Sequence, residues 1–407
     1  MSWSACCGAM DILQTPSAPP PKARRWAPFA LGFRPFFLLA ALAAVILMAL
    51  WPPMWRGQIG LPGHYDAISW HSHEMLFGYA AAVISGFLLT AVRNWTGVDT
   101  WTGPRLALLA MVWLAGRLLP WSAGVPMEVL VAVDVVFLPL VAVSLVRPLW
   151  AGQSRINRAF VPLLCAMALM NLLSHLQLAG VHNPFGDARR VMLDLVLLVI
   201  VLVAGRVLPF FTRNVLPGFQ AVSRPWVEQG SVLLIGLIAL ADLLELLPPA
   251  VTAVLWLLFA ALQLLRLAGW FDRRVVRMPV LWVLHAGYAW LPLGSLLYGL
   301  SLLGLFAPSS ALHALTVGVV GVFTLGMMAR VSRGHTGRPI NVSTLTASSF
   351  VLMNVAALVR VFGPTFRPEH YALWVDVSAG LWVLAFGLFA YRYVPLLLRP
   401  RVDGKPG

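Results

Sequence analysis

The sequence is divided almost end to end into apolar runs long enough to cross a membrane, which excludes an ordinary water-soluble fold. A membrane-spanning helix needs roughly 20 predominantly apolar residues. Of the 407 residues, 60% are hydrophobic and only 11% are charged, whereas about a quarter are charged in a typical soluble domain. We therefore predict an all-α fold, a polytopic membrane helix bundle of about twelve transmembrane helices, at 33–51, 71–92, 105–121, 125–146, 159–180, 190–210, 230–247, 250–270, 279–303, 311–331, 344–363 and 371–397.

Short tails flank these runs. Residues 1–30 contain several prolines and no apolar core of the signal-peptide kind, so we predict a disordered cytoplasmic N-terminal tail. Residues 31–398 form the predicted twelve-helix transmembrane domain, and residues 399–407 form a cytoplasmic C-terminal tail.

The net charge of +14 does not indicate a nucleic-acid partner, because the charges lie in short clusters between apolar runs. Of the 29 Lys and Arg residues, 23 fall on the side that would carry both termini and six on the other. The positive-inside rule then places both termini in the cytoplasm, and membrane lipid is the predicted partner.

The strongest local signal is the sequence Trp-His-Ser-His-Glu-Met at 70–75, where the second run begins. Imidazole suits copper, iron and zinc, and the thioether of Met75 suits copper or haem iron as a weak axial ligand. On a regular helix His71, Glu74 and Met75 share one side, whereas His73 points elsewhere unless the first turn is irregular. Glu74 is predicted to orient a ligand histidine through its ring N–H. The alternative is a polar patch that caps the helix at the interface.

Two further histidines lie at a matching depth. His175 and His313 fall within roughly 8 Å of the outer interface, at 1.5 Å per residue of helix. We predict that His71, His73, His175 and His313 lie close together inside the bundle and act as metal ligands. The alternative is that each is a hydrogen-bonded packing residue.

A second set of candidates lies towards the cytoplasm. His285 is roughly 20 Å or more from the outer histidines, so it would belong to a separate cofactor site or simply pack. Arg206, Arg213, Arg330 and His335 lie where inward-running helices end. We predict that they form one polar cluster that could hold haem propionates or a substrate anion. Ordinary positive-inside anchoring is the alternative.

Acidic residues also occur inside the apolar runs, where a bare charge is costly. Such side chains usually face the bundle interior, paired or protonated. We interpret them as structural partners of other polar groups or as members of a proton path: Asp134, Asp194, Asp242, Glu245 and Asp376.

Taken together, several segments resemble the NnrS family, in order from residue 31 to residue 340. They are Leu-Gly-Phe-Arg-Pro-Phe-Phe at 31–37, His-Ser-His-Glu-Met-Leu-Phe-Gly at 71–78, Gly-Phe-Leu-Leu-Thr-Ala-Val at 86–92, Asn-Trp-Thr-Gly at 94–97, Gly-Arg at 205–206 with Phe-Thr-Arg-Asn at 211–214, His-Ala-Leu-Thr-Val-Gly at 313–318, and Arg-Val at 330–331 with Gly-His-Thr-Gly-Arg-Pro at 334–339. One departure is Arg93, where proline is expected.

The resemblance implies a bacterial inner-membrane protein that contains haem b and copper and acts in the nitric oxide response, relieving nitrosative stress. It does not decide whether nitric oxide is bound, sensed or turned over, so enzymatic activity stays open. Two other functions also stay open. A twelve-helix layout with both termini inside is common among transporters of small solutes or metals, and an assembly factor would deliver haem or copper to other proteins.

Overall fold

The computed structural model describes residues 26–60, 65–122 and 124–405. Most of the predicted N-terminal tail, residues 1–25, therefore lies outside the described residues. Within the described ranges the secondary structure is helical and contains no strand. Ala27 already donates a backbone hydrogen bond to the carbonyl of Leu398, at 2.8 Å, so the chain just before the first helix contacts the end of the last.

Among the described residues, eleven helices are long and apolar enough to cross a membrane, which confirms the predicted multi-pass helical bundle. They are α1 (Phe33–Trp55), α2 (Ala67–Thr96), α4 (Met127–Ala151), α5 (Arg155–Leu178), α6 (Ala188–Val215), α7 (Pro225–Leu244), α8 (Pro249–Trp270), α9 (Pro279–Leu302), α10 (Pro308–His335), α11 (Thr344–Phe366) and α12 (Pro368–Leu398).

The remaining predicted run forms a shorter helix, α3 (Gly103–Leu118). Its 16 residues span about 24 Å at 1.5 Å per residue. A 3₁₀-helix at Leu119–Trp121 extends it. With α3 the bundle has the predicted number of about twelve helices.

Two helices lie at the centre of the bundle. In α2 and α10, 89% and 83% of the most apolar stretch is buried inside the protein, against 33% in α7 and 39% in α8. The peripheral helices expose leucines such as Leu233 and Leu264, as expected for side chains that face hydrocarbon. The polar residues of α2 and α10 therefore face protein neighbours, where a ligand site can be built.

One hydrogen bond joins the two central helices to each other, and another joins their neighbours α1 and α12. The hydroxyl groups of Tyr79 on α2 and Thr324 on α10 are 2.6 Å apart. On the side of α1, the indole of Trp382 from α12 donates to the carbonyl of Ala44, at 2.9 Å. Buried polar side chains gain more from such partners where no water competes.

Both central helices contain a π-helical segment directly after a histidine. The segment Glu74–Ala80 follows His73 in α2, and Ala314–Val322 follows His313 in α10. π-helical turns are rare and frequently occur at functional sites. The two histidine-bearing turns are therefore the least regular parts of the two most buried helices.

Candidate metal and cofactor sites

The first turns of α2 place neighbouring histidines on opposite sides of one helix. His71 lines a cavity on one side, whereas His73 lies against α5 on the other, where its Nε2 is 3.0 Å from Oδ1 of Asn171. Residues two positions apart on a helix do not share a face. The structure thus divides the four predicted outer histidines into two pairs, His73 with His175 and His71 with His313.

The pair on the α5 side forms a compact group with a carboxylate. Nε2 of His73 and Nε2 of His175 lie 3.2 Å and 3.0 Å from Oδ2 of Asp134. Among the described residues, these three side chains offer ligand atoms that all lie within 4.8 Å of one another. All three are buried. We call this group the His–Asp–His site.

The spacing in the His–Asp–His site fits a metal ion. Four ligand atoms at 2.0–2.1 Å around a tetrahedral zinc are about 3.3 Å apart, close to the two distances to Asp134. The same distances are also those of ordinary hydrogen bonds, so a proton-holding network is the competing explanation. Asn171 supports either arrangement, because its Nδ2 donates to Asp134 Oδ2 at 3.0 Å.

Charged neighbours surround the site. Arg117 on α3 donates to Asp134, and its Nη1 lies 3.3 Å from Oε2 of Glu74. Two carboxylates and one guanidinium leave one net negative charge if both imidazoles are neutral. Because an uncompensated buried charge is costly, this balance favours a cation between the histidines. Gly78 makes room for the arginine, since a Cβ there would lie 2.7 Å from Arg117 Nη1.

The position of Glu74 corrects one prediction. Glu74 was expected on the same side as His71, but Oε1 of Glu74 lies 3.5 Å from Nδ1 of His73 instead. The π-helical turn that begins at Glu74 widens the helix there, so the α-helical spacing rule does not hold. Glu74 therefore lies beside His73 rather than His71, and its role in orienting a ligand histidine stays a prediction.

On the other side of α2 lies a cavity of about 640 Å³, which we call the outer cavity. Helices α1, α2, α6, α9, α10, α11 and α12 all contribute to its wall. Aromatic side chains supply much of its apolar surface: Trp51, Trp55, Tyr79, Tyr298, Tyr371 and Trp382. Its volume lies within the range of about 300–1,000 Å³ typical of small-molecule sites.

His71 on α2 and His313 on α10 both line this cavity. The ring of His71 stacks on Trp51 with 4.1 Å between centroids, and its buried Nδ1 has no hydrogen-bond partner among the described residues. Nδ1 of His313 lies 2.6 Å from the carbonyl oxygen of Ser309. A ring N–H donated to that carbonyl leaves Nε2 of His313 as a free acceptor, which is the state a metal ligand needs. Met75 also lines the cavity, as its predicted ligand role requires.

Two arginines that line the outer cavity, Arg189 and Arg190, form ion pairs with nearby aspartates. Arg189 pairs with Asp187 through Nε and Oδ1 at 3.3 Å. Arg190 on α6 lies 3.2 Å from Asp242 and 3.5 Å from Asp194. These contacts assign two of the buried acids predicted as structural partners.

The other two acids of the apolar runs, Asp376 and Glu245, are not buried. Asp376 is half exposed and forms an ion pair with Arg56. Glu245 does not lie in the apolar interior, because α7 ends at Leu244 and Glu245 is exposed with a left-handed backbone, φ 49°.

His285 lies in a different part of the bundle, as predicted from its depth. It lines a smaller cavity of about 400 Å³. Its Nδ1 is 3.0 Å from the carbonyl oxygen of Leu281, and its Nε2 is 3.3 Å from that of Trp270. Both ring nitrogens thus face backbone acceptors, so the packing interpretation explains His285 and its cofactor role stays a prediction.

The predicted cytoplasmic cluster brings together the ends of α2, α6 and α10. Nη1 of Arg206 donates to Oδ1 of Asn157 at 2.5 Å, and its guanidinium lies 5.4 Å from the ring of Trp95. Beside Trp95, Asn94 contacts His335, at 3.3 Å between Nδ2 and Nε2.

Arg330 and Arg213 complete the set at this face. Arg330 lies over the ring of Phe211, 4.3 Å from its centroid, and so joins α10 to α6. Arg213 is exposed near the end of α6. The three helix ends meet, but their role in binding a cofactor stays a prediction.

Four members of the two sites were missing from the predicted ligand sets. They are buried polar residues inside apolar helices, and that property was a usable signal in the sequence: Asp134, which was predicted only as a structural partner or proton-path member, Asn171, Arg117 and Arg360. It could not show which of them meet, because the pairing of α3, α4 and α5 around α2 depends on tertiary packing.

Comparison with known proteins agrees with the motifs in the sequence. A search of curated proteins gave no match. The family described as NnrS protein matches residues 27–401, which is nearly the whole chain and includes both histidine pairs. The chain belongs to the NnrS family.

Proposed function

We propose that this chain is a haem- and copper-containing protein of the bacterial inner membrane, with both termini in the cytoplasm, that acts in the nitric oxide response. The observation that carries the proposal is that His71 and His313, from the two central helices, line one cavity. Nδ1 of His71 has no hydrogen-bond partner among the described residues, and the contact of His313 Nδ1 with the carbonyl of Ser309 leaves its Nε2 as an acceptor. The family membership and the charge asymmetry of the loops support the remaining parts.

The residues of the outer cavity fit a haem. His71 and His313 would hold the iron, and the stacked Trp51 together with the carbonyl of Ser309 would fix the two ring orientations. Histidine is a common haem ligand, and apolar walls keep water away from it. When bound, haem b would supply an iron able to take a diatomic gas as a ligand in exchange for one of the two histidines. The cavity walls would admit nitric oxide readily, because it is small and uncharged.

The residues of the His–Asp–His site fit copper. Two imidazoles and one carboxylate offer nitrogen and oxygen donors, and divalent copper binds such sites more tightly than the other first-row metals. His73, His175 and Asp134 would be its ligands. Tyr65 holds the second imidazole, with its hydroxyl 3.4 Å from Nδ1 of His175.

The haem site and the copper site can be tested separately in one set of purified proteins. The full-length protein is purified in detergent, and its absorption spectrum is recorded beside its iron and copper content. We expect a Soret band and bound copper. His71→Ala and His313→Ala should lower haem and retain copper, whereas His73→Ala and His175→Ala should lower copper and retain the Soret band.

A matched control distinguishes ligation from general damage. His285→Ala removes another buried membrane histidine, whose ring nitrogens face backbone carbonyls, and should leave both contents unchanged. A loss of haem in His285→Ala would instead favour its predicted cofactor role. Nitric oxide added to the reduced wild type should shift the Soret band. Folded protein without haem or copper would contradict the proposal, and metal that passes readily to an acceptor protein would favour the assembly-factor function instead.

A further inference from the structure

Arg360 on α11 is a buried cation without an acidic partner among the described residues. Only 7% of its surface is exposed. Its Nη2 donates to Oγ of Ser309 at 3.1 Å and to the hydroxyl of Tyr371 at 3.0 Å. Its Nη1 is buried and has no hydrogen-bond partner in the described part of the chain. Both of its partners are neutral, so its positive charge is not balanced locally.

Three other arginines inside the helices are balanced by carboxylates. Arg117 faces Glu74 and Asp134, Arg190 faces Asp194 and Asp242, and Nη2 of Arg266 lies 2.7 Å from Oε2 of Glu228. A charged side chain inside a membrane is costly and usually marks a functional site or a pair. Unlike these three, Arg360 has no carboxylate partner among the described residues, which points to a bound ligand as its counter-ion.

The guanidinium lines the outer cavity together with His71 and His313. Ser309 links Arg360 to His313: its hydroxyl accepts a hydrogen bond from Arg360, and its carbonyl accepts one from His313. A ligand held by the histidines would therefore lie next to the unpartnered Nη1.

We propose that Arg360 is the anion-binding group of the outer cavity and takes a carboxylate-like oxyanion through Nη1. The planar guanidinium presents donors that match such an oxyanion, and Tyr371 and Ser309 hold it in a fixed orientation. The oxyanion has two possible sources: a propionate of a haem held by His71 and His313, or a small free oxyanion such as nitrite or formate. Only the first source rests on the proposed function.

In the first arm of the test, haem-free protein is reconstituted with protohaem or with its dimethyl ester, and binding of each is measured from the Soret band. If Arg360 binds a propionate, the wild type should bind the free acid about ten- to a hundredfold more tightly than the ester, the effect of one charge-assisted hydrogen bond. Arg360→Gln should lose that preference, and Arg360→Lys should keep part of it.

The second arm titrates the haem-free protein with nitrite or formate and follows fluorescence of the cavity tryptophans. If the oxyanion is free, the wild type should saturate and Arg360→Gln should not. This arm gives a result even if no haem binds, so failure of the proposed function and failure of this inference are distinguishable.

A control variant and a stability measurement exclude a merely structural role. Arg367→Gln removes an exposed arginine near the end of the same helix, where the charge is paired with Glu369, and should behave as wild type in both arms. Without any anion, Arg360→Gln should melt no lower than wild type, because it removes an unbalanced buried charge. The inference is overturned if Arg360→Gln keeps the wild-type response in both arms, if the wild type responds in neither, or if Arg360→Gln melts lower without an anion.

Discussion

The buried charges beside the His–Asp–His site should dominate the stability of this half of the bundle, and their removal should follow a definite order. Arg117 contacts both Glu74 and Asp134. At 3.3 Å and an effective dielectric constant of 20, the contact with Glu74 alone is worth about 5 kcal/mol before desolvation is subtracted. Arg117→Met removes it and leaves two buried carboxylates side by side, so we expect a net loss of about 3–5 kcal/mol.

The two carboxylates should matter less, and to different degrees. Asp134 accepts from Arg117, Asn171 and His175, so Asp134→Asn loses charge-assisted bonds worth about 1.5–3 kcal/mol. Glu74→Gln loses the ion pair with Arg117, but it also removes the excess negative charge of the group, and neither carboxylate oxygen of Glu74 has a hydrogen-bond partner in the described structure. Glu74→Gln should therefore be mildest.

Thermal unfolding of the detergent-solubilised proteins, followed by fluorescence-detected gel filtration, measures this order. Arg105→Met is the matched control, because Arg105 is exposed on the same helix, and it should change stability by no more than about 0.5 kcal/mol. If Glu74→Gln destabilised as much as Arg117→Met, or if Arg117→Met matched its control, the charge argument would be refuted.

Two further variants test other contacts of the sites. Arg190→Met should lower the free energy of unfolding by about 3–5 kcal/mol, because it leaves Asp194 and Asp242 without their shared counter-ion. The melting temperature measures this loss, and adding Asp194→Asn should recover part of it. Gly78→Ala should displace Arg117 and cost about 1–3 kcal/mol, because overpacking strains a close-packed interior; a melting curve like that of wild type would show that the arginine moves freely.

The helical bundle could be predicted because hydropathy acts locally along the chain. Each apolar run needs only enough length to span the membrane, and this property does not depend on which helix is its neighbour. The shared level of His71 and His313, which line one cavity, could be predicted in the same way, since a fixed rise per residue turns position in the sequence into distance along a helix.

The grouping of these histidines could not be predicted, because it depends on helix rotation and on neighbours. A two-residue separation sends His71 and His73 to different sides, but their partners depend on how α5 and α10 pack around α2. Glu74 lies beside His73 because of the π-helical turn, and the periodicity of the sequence does not predict that turn. The lone charge of Arg360 was visible in the sequence, but only the structure shows that no carboxylate faces it among the described residues.

The π-helical segment of α2 means that the helix contains one residue more than a regular α-helix would need over the same rise. Deleting a single residue within Glu74–Ala80 would let the segment close into ordinary α-helical turns. Because the wide turn absorbs the extra residue, the helix on either side of it would keep its orientation, and His71 and His73 would stay near their sites. The same deletion in the regular part of this helix, Ala81–Thr96, would rotate everything before it by about 100° relative to the rest. A shortening by one residue would therefore spare both candidate sites in the first case and remove both in the second, although the span would keep nearly the same length and hydropathy.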